Sequence, residues 1–124
     1  MVNRFGELSA DVARAKLAQQ AVAFAFGEAV EEIAAPTRRT RTAAHARQTA
    51  MYLAHISFGM SLARVAYAFG RDRSTVAHAC RVTEDRREDA AFDVRLEQLE
   101  AFLSAAPPEG PRPPYHSNAR LKAA

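Results

Sequence analysis

The sequence predicts an all-α fold, a small helical bundle that contains a helix-turn-helix. The chain of 124 residues is rich in alanine and poor in β-branched runs, which favours helices over strands. Apolar residues recur at spacings of three and four, and a glycine separates two short helical patterns within residues 58–81. We expect one domain over 10–104, a flexible N-terminus over 1–9 and a disordered proline-rich tail over 105–124.

The first helical segment extends from about Asp11 to Ala35. Gly27 is predicted to divide it into two helices, with Glu28 at the start of the second, and Pro36 ends it. The face predicted to pack on the rest of the bundle consists of Val12, Ala15, Ala18, Val22, Phe26, Val30 and Ile33.

A polar, basic loop over 37–42 leads into the next helix. Thr42 is placed to cap a helix over 43–57, because its hydroxyl can accept a hydrogen bond from a free N–H of the first turn. Arg47 and Gln48 lie in the first two turns, where an approaching phosphate would meet their side chains. The residues predicted to face the core are Ala46, Ala50, Leu53, Ala54 and Phe58.

The helix-turn-helix follows. Ser61 can cap its first helix, and Gly70 comes after the last apolar position, where a left-handed residue is least costly. Asp72 is placed to cap the second helix through the amides of Ser74 or Thr75. The residues predicted to be buried are Leu62, Val65, Ala66 and Phe69 in the first helix and Val76, Ala79 and Cys80 in the second.

The second helix is predicted to continue to about Arg87. A last helix follows over 93–103, and its inward residues are predicted to be Leu96, Leu99 and either Phe102 or Leu103. The prolines beyond residue 105 prevent a regular helix or sheet.

Basic residues are concentrated in the middle of the chain. Residues 36–81 contain eight arginines and one acidic residue, a net charge of +7, whereas 82–103 contain three arginines and seven acidic residues, a net charge of −4. A solvated basic face without a ligand is one explanation. We favour a polyanionic partner, because acidic residues hardly interrupt the basic segment.

The start of the second helix has side chains that suit base recognition in the DNA major groove. Arg73 can make a bidentate contact to guanine, the hydroxyls of Ser74 and Thr75 can meet base edges or phosphate, and His78 lies one turn further on. A purely structural role also explains Asp72, Ser74 and Thr75, since Asp, Ser and Thr are common at the starts of helices. Their occurrence together after a glycine turn favours DNA contact.

The arginines at 38, 39 and 41 can extend this contact. A basic arm of this kind can lie in the neighbouring minor groove, where A·T-rich stretches concentrate negative potential. A solvated linker is the alternative for this loop.

Other classes of function find no support in the sequence. There is no P-loop motif for a nucleotide, His45, His55 and His78 lack metal-ligand spacing, and the single cysteine, Cys80, excludes an internal disulfide. No apolar run approaches the ~20 residues of a membrane helix, and no signal peptide is evident. We therefore predict a non-enzymatic, cytoplasmic and nucleoid-associated protein without cofactor, metal, nucleotide or membrane partner.

Five sequence elements occur in the order found in a known family. They are R-Q-x-A-M at 47–51, S-L at 61–62, A-F-G at 68–70, R-D-x-[ST]-T-V at 71–76 and H-A-C-R at 78–81. Together they resemble the C-terminal DNA-binding domain of DnaA, the bacterial replication initiator, over roughly two thirds of the chain. The resemblance implies a Trp-repressor-like helical bundle that binds double-stranded DNA at DnaA boxes.

The resemblance also implies roles for individual positions. It puts Arg39, with Arg41 close by, in the minor groove, Arg47 on a phosphate, and a recognition helix over 72–84 in the major groove. The DNA-binding residues predicted in this way and from the pattern are Arg38, Arg39, Arg41, Arg47, Gln48, Ser61, Arg71, Asp72, Arg73, Ser74, Thr75, His78 and Arg81.

Three positions depart from the family pattern. Gly70 stands where the family usually has two glycines, so the turn is one residue shorter. Arg73 replaces a histidine of the base-reading run, and His55 replaces a basic residue late in the preceding helix. These changes predict a shifted or relaxed site preference.

We predict a stand-alone regulator that occupies DnaA-box-like sites and modulates replication initiation or nearby transcription. Replication-initiation proteins are further candidate partners. The alternative is a protein-interaction adaptor, in which the acidic last helix and the alanine-rich first helix bind another protein and DNA binding is weak or vestigial.

Overall fold

The computed structural model of the protein describes residues 4–35 and 40–105. Within these ranges the chain is helical and contains no strand, which confirms the predicted all-α class. The helices described are α1 (Arg4–Phe26), α2 (Val30–Ala34), α3 (Arg41–Ser57), α4 (Leu62–Phe69), α5 (Arg73–Arg86) and α6 (Ala90–Ala105). The predicted minor-groove residues Arg38 and Arg39 and the proline-rich tail from residue 106 lie outside the described residues.

Helix α3 lies at the centre of the bundle, because apolar side chains cover two of its sides. One core cluster joins it to α1, α2 and α6 and includes Val22, Ile33, Leu53 and Leu96. A second joins it to α4 and α5 and includes Met51, Met60, Val65 and Val76. Three partly buried residues contact both clusters: Phe58, Phe69 and Cys80. The helix-turn-helix is thus built on the same central helix as the rest of the bundle.

Two predicted helix starts in the first third of the chain were wrong. Helix α1 already begins at Arg4, so residues 4–9, expected to fray, are helical. Helix α2 begins at Val30 and not at Glu28, because Gly27 has a positive φ of 71° and the extended residue Ala29 occupies the N-cap position.

The N-cap of α3 is two residues earlier than predicted. Thr40, and not Thr42, accepts a hydrogen bond from the Ala43 N–H (3.0 Å), so the helix begins at Arg41. The two threonine hydroxyls lie 3.2 Å apart, and a pattern of threonines alone does not indicate which of them supplies the cap.

The last helix begins at Ala90 and not at Asp93. Asp89 Oδ1 accepts hydrogen bonds from the N–H groups of Ala91 (3.0 Å) and Phe92 (3.2 Å), which caps the helix three residues earlier than predicted. Its inward residues include Leu96, Leu99 and Leu103, while Phe102 is half exposed.

A polar network fixes the end of α5 against α3 and α6. The Tyr52 hydroxyl donates to Glu84 Oε2 (2.7 Å) and accepts from Arg87 Nη1 (3.0 Å). Arg87 also donates to Asp93 (2.5 Å) and Glu100 (2.7 Å). Glu84 and Asp89, two of the acidic residues in 82–103, therefore both have structural hydrogen bonds.

The described residues give no sign of a membrane span or a metal centre. None of their helices is both long and apolar enough to cross a bilayer. Nor do three of their histidine, cysteine or carboxylate side chains come close enough together to hold an ion.

Candidate nucleic-acid interface

The turn between α4 and α5 has the geometry that its sequence predicts. Ser61 Oγ accepts from the Arg64 N–H (3.2 Å) and caps α4. Gly70 ends the helix in the left-handed region (φ 66°, ψ 39°), and the Arg71 N–H then reaches back to the Ala66 carbonyl (2.9 Å). Because these bonds satisfy the last carbonyls of α4, the chain can reverse within three residues.

Helix α5 has one face in the core and the other in solvent. Val76, Ala79 and Thr83 are buried, and Cys80 is half-buried. Burial raises the pKa of the Cys80 thiol, with a smaller contribution from the Glu84 charge, so this cysteine is a poor nucleophile. The exposed residues of the predicted reading face are Asp72, Arg73, Ser74, Thr75, His78 and Arg81.

The side chain of Asp72 does not have its predicted role. Asp72 occupies the N-cap position of α5, and its carbonyl accepts from the Val76 N–H (3.1 Å). Within the described part of the chain, however, its carboxylate makes no capping hydrogen bond. The exposed carboxylate is therefore available to accept from a ligand, as a cytosine amino group in the major groove would require.

A cleft of about 200 Å³ separates the reading face of α5 from the first half of α3. Side chains from both helices and from the turn line it: Ala44, His45, Arg47, Gln48, Met51, Arg71, Thr75 and His78. Gln48 Oε1 is buried there without a hydrogen-bond partner among the described residues. A buried polar atom without a partner is costly. The cleft therefore combines cationic groups with an amide that a polar ligand could satisfy.

The Arg47 side chain is more buried than that of an arginine whose role is only to contact a phosphate. Its side chain lies at the base of the cleft, only 8% exposed, and Nε donates to the Ile33 carbonyl (2.8 Å). Nη2 lies 3.4 Å from the Glu32 carbonyl. Burial, and secondarily the positive charge of Arg71, lowers the pKa of the Arg47 guanidinium. Arg47 thus holds the end of α2, a role that the sequence pattern did not reveal.

Arg71 completes this anchoring. Its Nη2 donates to the Ala35 carbonyl (2.5 Å), two residues before the basic loop over 37–42 begins. Arg47 from α3 and Arg71 from the turn therefore bind the carbonyls of Ile33 and Ala35, at and just beyond the end of α2. Arg41, on the far side of that loop, is exposed at the start of α3.

Two further contacts of this region were not predicted. Asp11 is 1% exposed and accepts from Arg64 Nε (2.9 Å) and Nη2 (2.7 Å) and from Arg14 Nη1 (2.8 Å), which joins α1 to α4. His55 Nδ1 lies 2.7 Å from the Met60 carbonyl, so this histidine supports the segment before α4. No local pattern marks the contact between Asp11 and Arg64, because the two residues lie on different helices.

The chain is similar to DnaA proteins over the helices that form this interface. The family model of the bacterial dnaA protein helix-turn-helix matches residues 15–82. The chromosomal replication initiator protein DnaA of Symbiobacterium thermophilum is 44% identical over 69 residues, and that of Acinetobacter baumannii strain AYE is 40% identical over 89 residues. These matches cover 54% and 70% of this chain but 15% and 19% of the two relatives, so the chain spans less than a fifth of their length.

A solved structure shares the arrangement of the helices. The crystal structure of a DNA replication initiation factor matches 77% of this chain with a TM-score of 0.67 and 29% sequence identity. The match covers 30% of that chain. The similarity therefore includes the bundle as well as the short motifs of the turn.

Proposed function

This chain belongs to the family of the bacterial DnaA helix-turn-helix, and on that basis we propose that it binds double-stranded DNA at DnaA-box-like sites. The observation that carries the proposal is the exposed start of α5. Five polar side chains project there beside a cationic cleft. Four are consecutive and the fifth lies about one turn further on: Asp72, Arg73, Ser74, Thr75 and His78. A recognition helix presents base-contacting groups at this position.

In the proposed complex α5 lies in the major groove. Arg73 donates to guanine O6 and N7, and Asp72 accepts from a cytosine amino group. Ser74 and Thr75 meet base edges or the adjacent phosphate. The buried opposite face of α5 leaves no freedom to rotate the helix, so these side chains reach the bases together.

The cleft between α3 and α5 is proposed to receive the phosphate backbone. Arg71, Gln48 and His78 line it, and an anion there would relieve the repulsion between Arg47 and Arg71. The Nε2 amino group of Gln48 can donate to a phosphate oxygen. Arg81, one turn beyond His78 and exposed, extends the positive surface along the groove edge.

The basic loop is proposed to enter the neighbouring minor groove. Arg38 and Arg39 lie outside the described residues, but the chain on both sides of them is fixed. The Ala35 carbonyl is held by Arg71, and Thr40 caps α3. Arg41 then lies at the exposed start of α3. The proposal is supported by Arg71, which both lines the cleft and holds the Ala35 carbonyl.

We further propose that site occupancy regulates replication initiation or nearby transcription. The adaptor alternative is weaker, because Asp93 and Glu100 of the acidic last helix already have an intramolecular partner in Arg87 and are less available to another protein.

The test is a fluorescence-anisotropy titration with two labelled duplexes, one with a DnaA box and one with the same bases shuffled. We expect at least about tenfold tighter binding to the box, which corresponds to 1.4 kcal/mol, and a steep loss of affinity with salt. Equal affinity for both duplexes would contradict sequence-specific binding. An absence of binding to either duplex at low salt would favour the adaptor.

A further inference from the structure

The titratable side chains of the cleft between α3 and α5 are all of the basic type. They are His45 and Arg47 from α3, Arg71 from the turn and His78 from α5. No carboxylate lines the cleft in the part of the chain that the structure describes. The other charged residues of α5 within about two turns of His78 are exposed and lie outside the lining: Asp72, Arg73, Arg81, Glu84 and Asp85. The imidazoles are therefore the cleft groups whose charge can change near neutral pH.

The side-chain oxygen of Gln48 needs a donor that the described residues do not supply. Gln48 Oε1 is buried without a hydrogen-bond partner among them, and its side chain lines the cleft. A buried acceptor without a donor is costly. A DNA phosphate cannot be the missing donor, because its oxygens only accept hydrogen bonds.

An imidazole on the opposite wall of the cleft can serve both acceptors only in its charged form. A neutral imidazole has one N–H and one lone pair, whereas the imidazolium has two N–H groups. His78 lies on that wall and is exposed. As an imidazolium it can donate to a phosphate and to Gln48 Oε1 together, whereas a neutral ring would present a lone pair to one of them.

We propose that His78 takes up a proton when the cleft receives a DNA phosphate, so that the affinity for DNA falls as the pH rises. This inference rests on the DNA binding proposed above. A bound anion favours the charged form of a nearby imidazole, and Gln48 Oε1 accepts from the same form. The contribution of this proton is complete below the pH at which His78 titrates in the free protein. It is lost as the pH rises through the titration of His78 in the complex.

Anisotropy titrations with the DnaA-box duplex at fixed ionic strength, from about pH 5.5 to about pH 8.5, test the proposal. Uptake of one proton changes the binding constant by at most about tenfold per pH unit, and we expect at least about threefold over the steepest unit. His78→Gln should remove most of this dependence. Gln48→Met should reduce it, because one of the two acceptors is lost. His55→Gln is the matched control, since His55 is bonded to the Met60 carbonyl outside the cleft lining.

A second measurement needs no DNA. Nuclear magnetic resonance of the imidazole ring protons follows each histidine of the full chain separately, with inorganic sulfate or with chloride at equal ionic strength. Sulfate resembles a phosphate in shape and keeps its charge over this pH range. The titration of His78 should move to higher pH in sulfate, and that of His55 should stay where it is.

Two results would overturn the inference and leave the proposed DNA binding intact. One is an affinity for DNA that does not change with pH. The other is a pH dependence that His78→Gln leaves unchanged while circular dichroism shows a folded variant, including the case in which His45→Gln abolishes it. An absence of DNA binding at every pH would instead contradict the proposed function. The sulfate titration would then decide alone, and an unmoved His78 would overturn proton uptake by the cleft.

Discussion

At the scale of single residues, Arg47 and Arg73 show one residue type in two different environments. Arg73 is exposed at the first position of α5, whereas Arg47 is buried and bonded to the end of α2. The same substitution in the two places should therefore have different consequences, one for sequence preference and the other for stability.

Arg73→Ala should reduce discrimination between box and shuffled duplexes and leave stability unchanged. The lost bidentate contact corresponds to about 1–3 kcal/mol, or about 5- to 150-fold in the affinity ratio. Anisotropy titrations with both duplexes measure this ratio. Arg81→Ala is the matched control on the same helix, and it should weaken both complexes alike. An unchanged ratio for Arg73→Ala would show that this arginine does not read bases.

Arg47→Ala should lower the free energy of unfolding by roughly 1–3 kcal/mol, because the carbonyls of Ile33 and Glu32 lose their buried donor. Urea unfolding monitored by circular dichroism measures the change. Arg41→Ala, at an exposed position, should have little effect on stability. If Arg47→Ala weakened DNA binding without any loss of stability, its anchoring role would be refuted.

At the scale of helices and turns, the sequence was most informative where the cause is local. Ser61 and Gly70 have their predicted capping roles, because each acts within one turn of its own helix. Asp11 with Arg64, and Arg47 with Ile33, could not be predicted, since these partners meet only after the helices have packed. The choice between Thr40 and Thr42 as cap also depended on the three-dimensional path of the loop.

Gly70 should tolerate asparagine better than alanine or valine. A Cβ at this position meets no atom within 4 Å, so the cost comes from the positive φ of 66° alone. We expect Gly70→Ala to lower the free energy of unfolding by about 1–2 kcal/mol and Gly70→Asn by less. Thermal or urea unfolding of the variants checks the order. Equal stability of Gly70→Val and the wild type would contradict the left-handed turn.

The network at the end of α5 predicts a pH dependence. Burial, then the hydrogen bond to Glu84, raises the pKa of the Tyr52 phenol above its ordinary value. In the unfolded chain Tyr52 ionises near pH 10, whereas in the folded chain it keeps its proton to higher pH. The stability contributed by the phenol is therefore complete below pH ~10 and is lost as the pH rises through the folded-state pKa.

The Tyr52→Phe variant tests the predicted loss of stability with rising pH. At neutral pH the variant should be less stable by about 1 kcal/mol, because the hydroxyl bonds to Glu84 and Arg87 are lost. Above pH ~10 the wild type should lose this advantage. Urea unfolding across the alkaline range measures both, with Tyr67→Phe as a control for loss of an exposed phenol. A constant difference at every pH would contradict the raised pKa.

At the scale of the whole molecule, the fold could be predicted from the sequence, but the partners of the charged side chains on other helices could not. The strong helical periodicity and the glycine turn were sufficient for an all-α bundle around a helix-turn-helix. The spacing left Phe24 off the buried face of α1, in agreement with its 92% exposure, but it placed Val12 on that face although Val12 is 42% exposed.

The net charge of the central segment should make DNA affinity strongly dependent on salt. The DNA contacts proposed for the cleft, Arg81 and the basic loop predict a steep linear fall of the logarithm of the binding constant with the logarithm of salt concentration. Replacing one phosphate-contacting residue, such as Arg71, should reduce the slope by about 1. Arg73→Ala is the internal comparison, since a base contact changes the slope less than a phosphate contact does.

Selection of duplexes from a random library by the purified full chain tests the proposed function most directly. If α5 reads bases in the major groove, a DnaA-box-like motif should be enriched by the wild type, and Arg73→Ala should enrich the same motif with one position relaxed. Recovery of DNA without any common motif would contradict sequence-specific recognition by this helix.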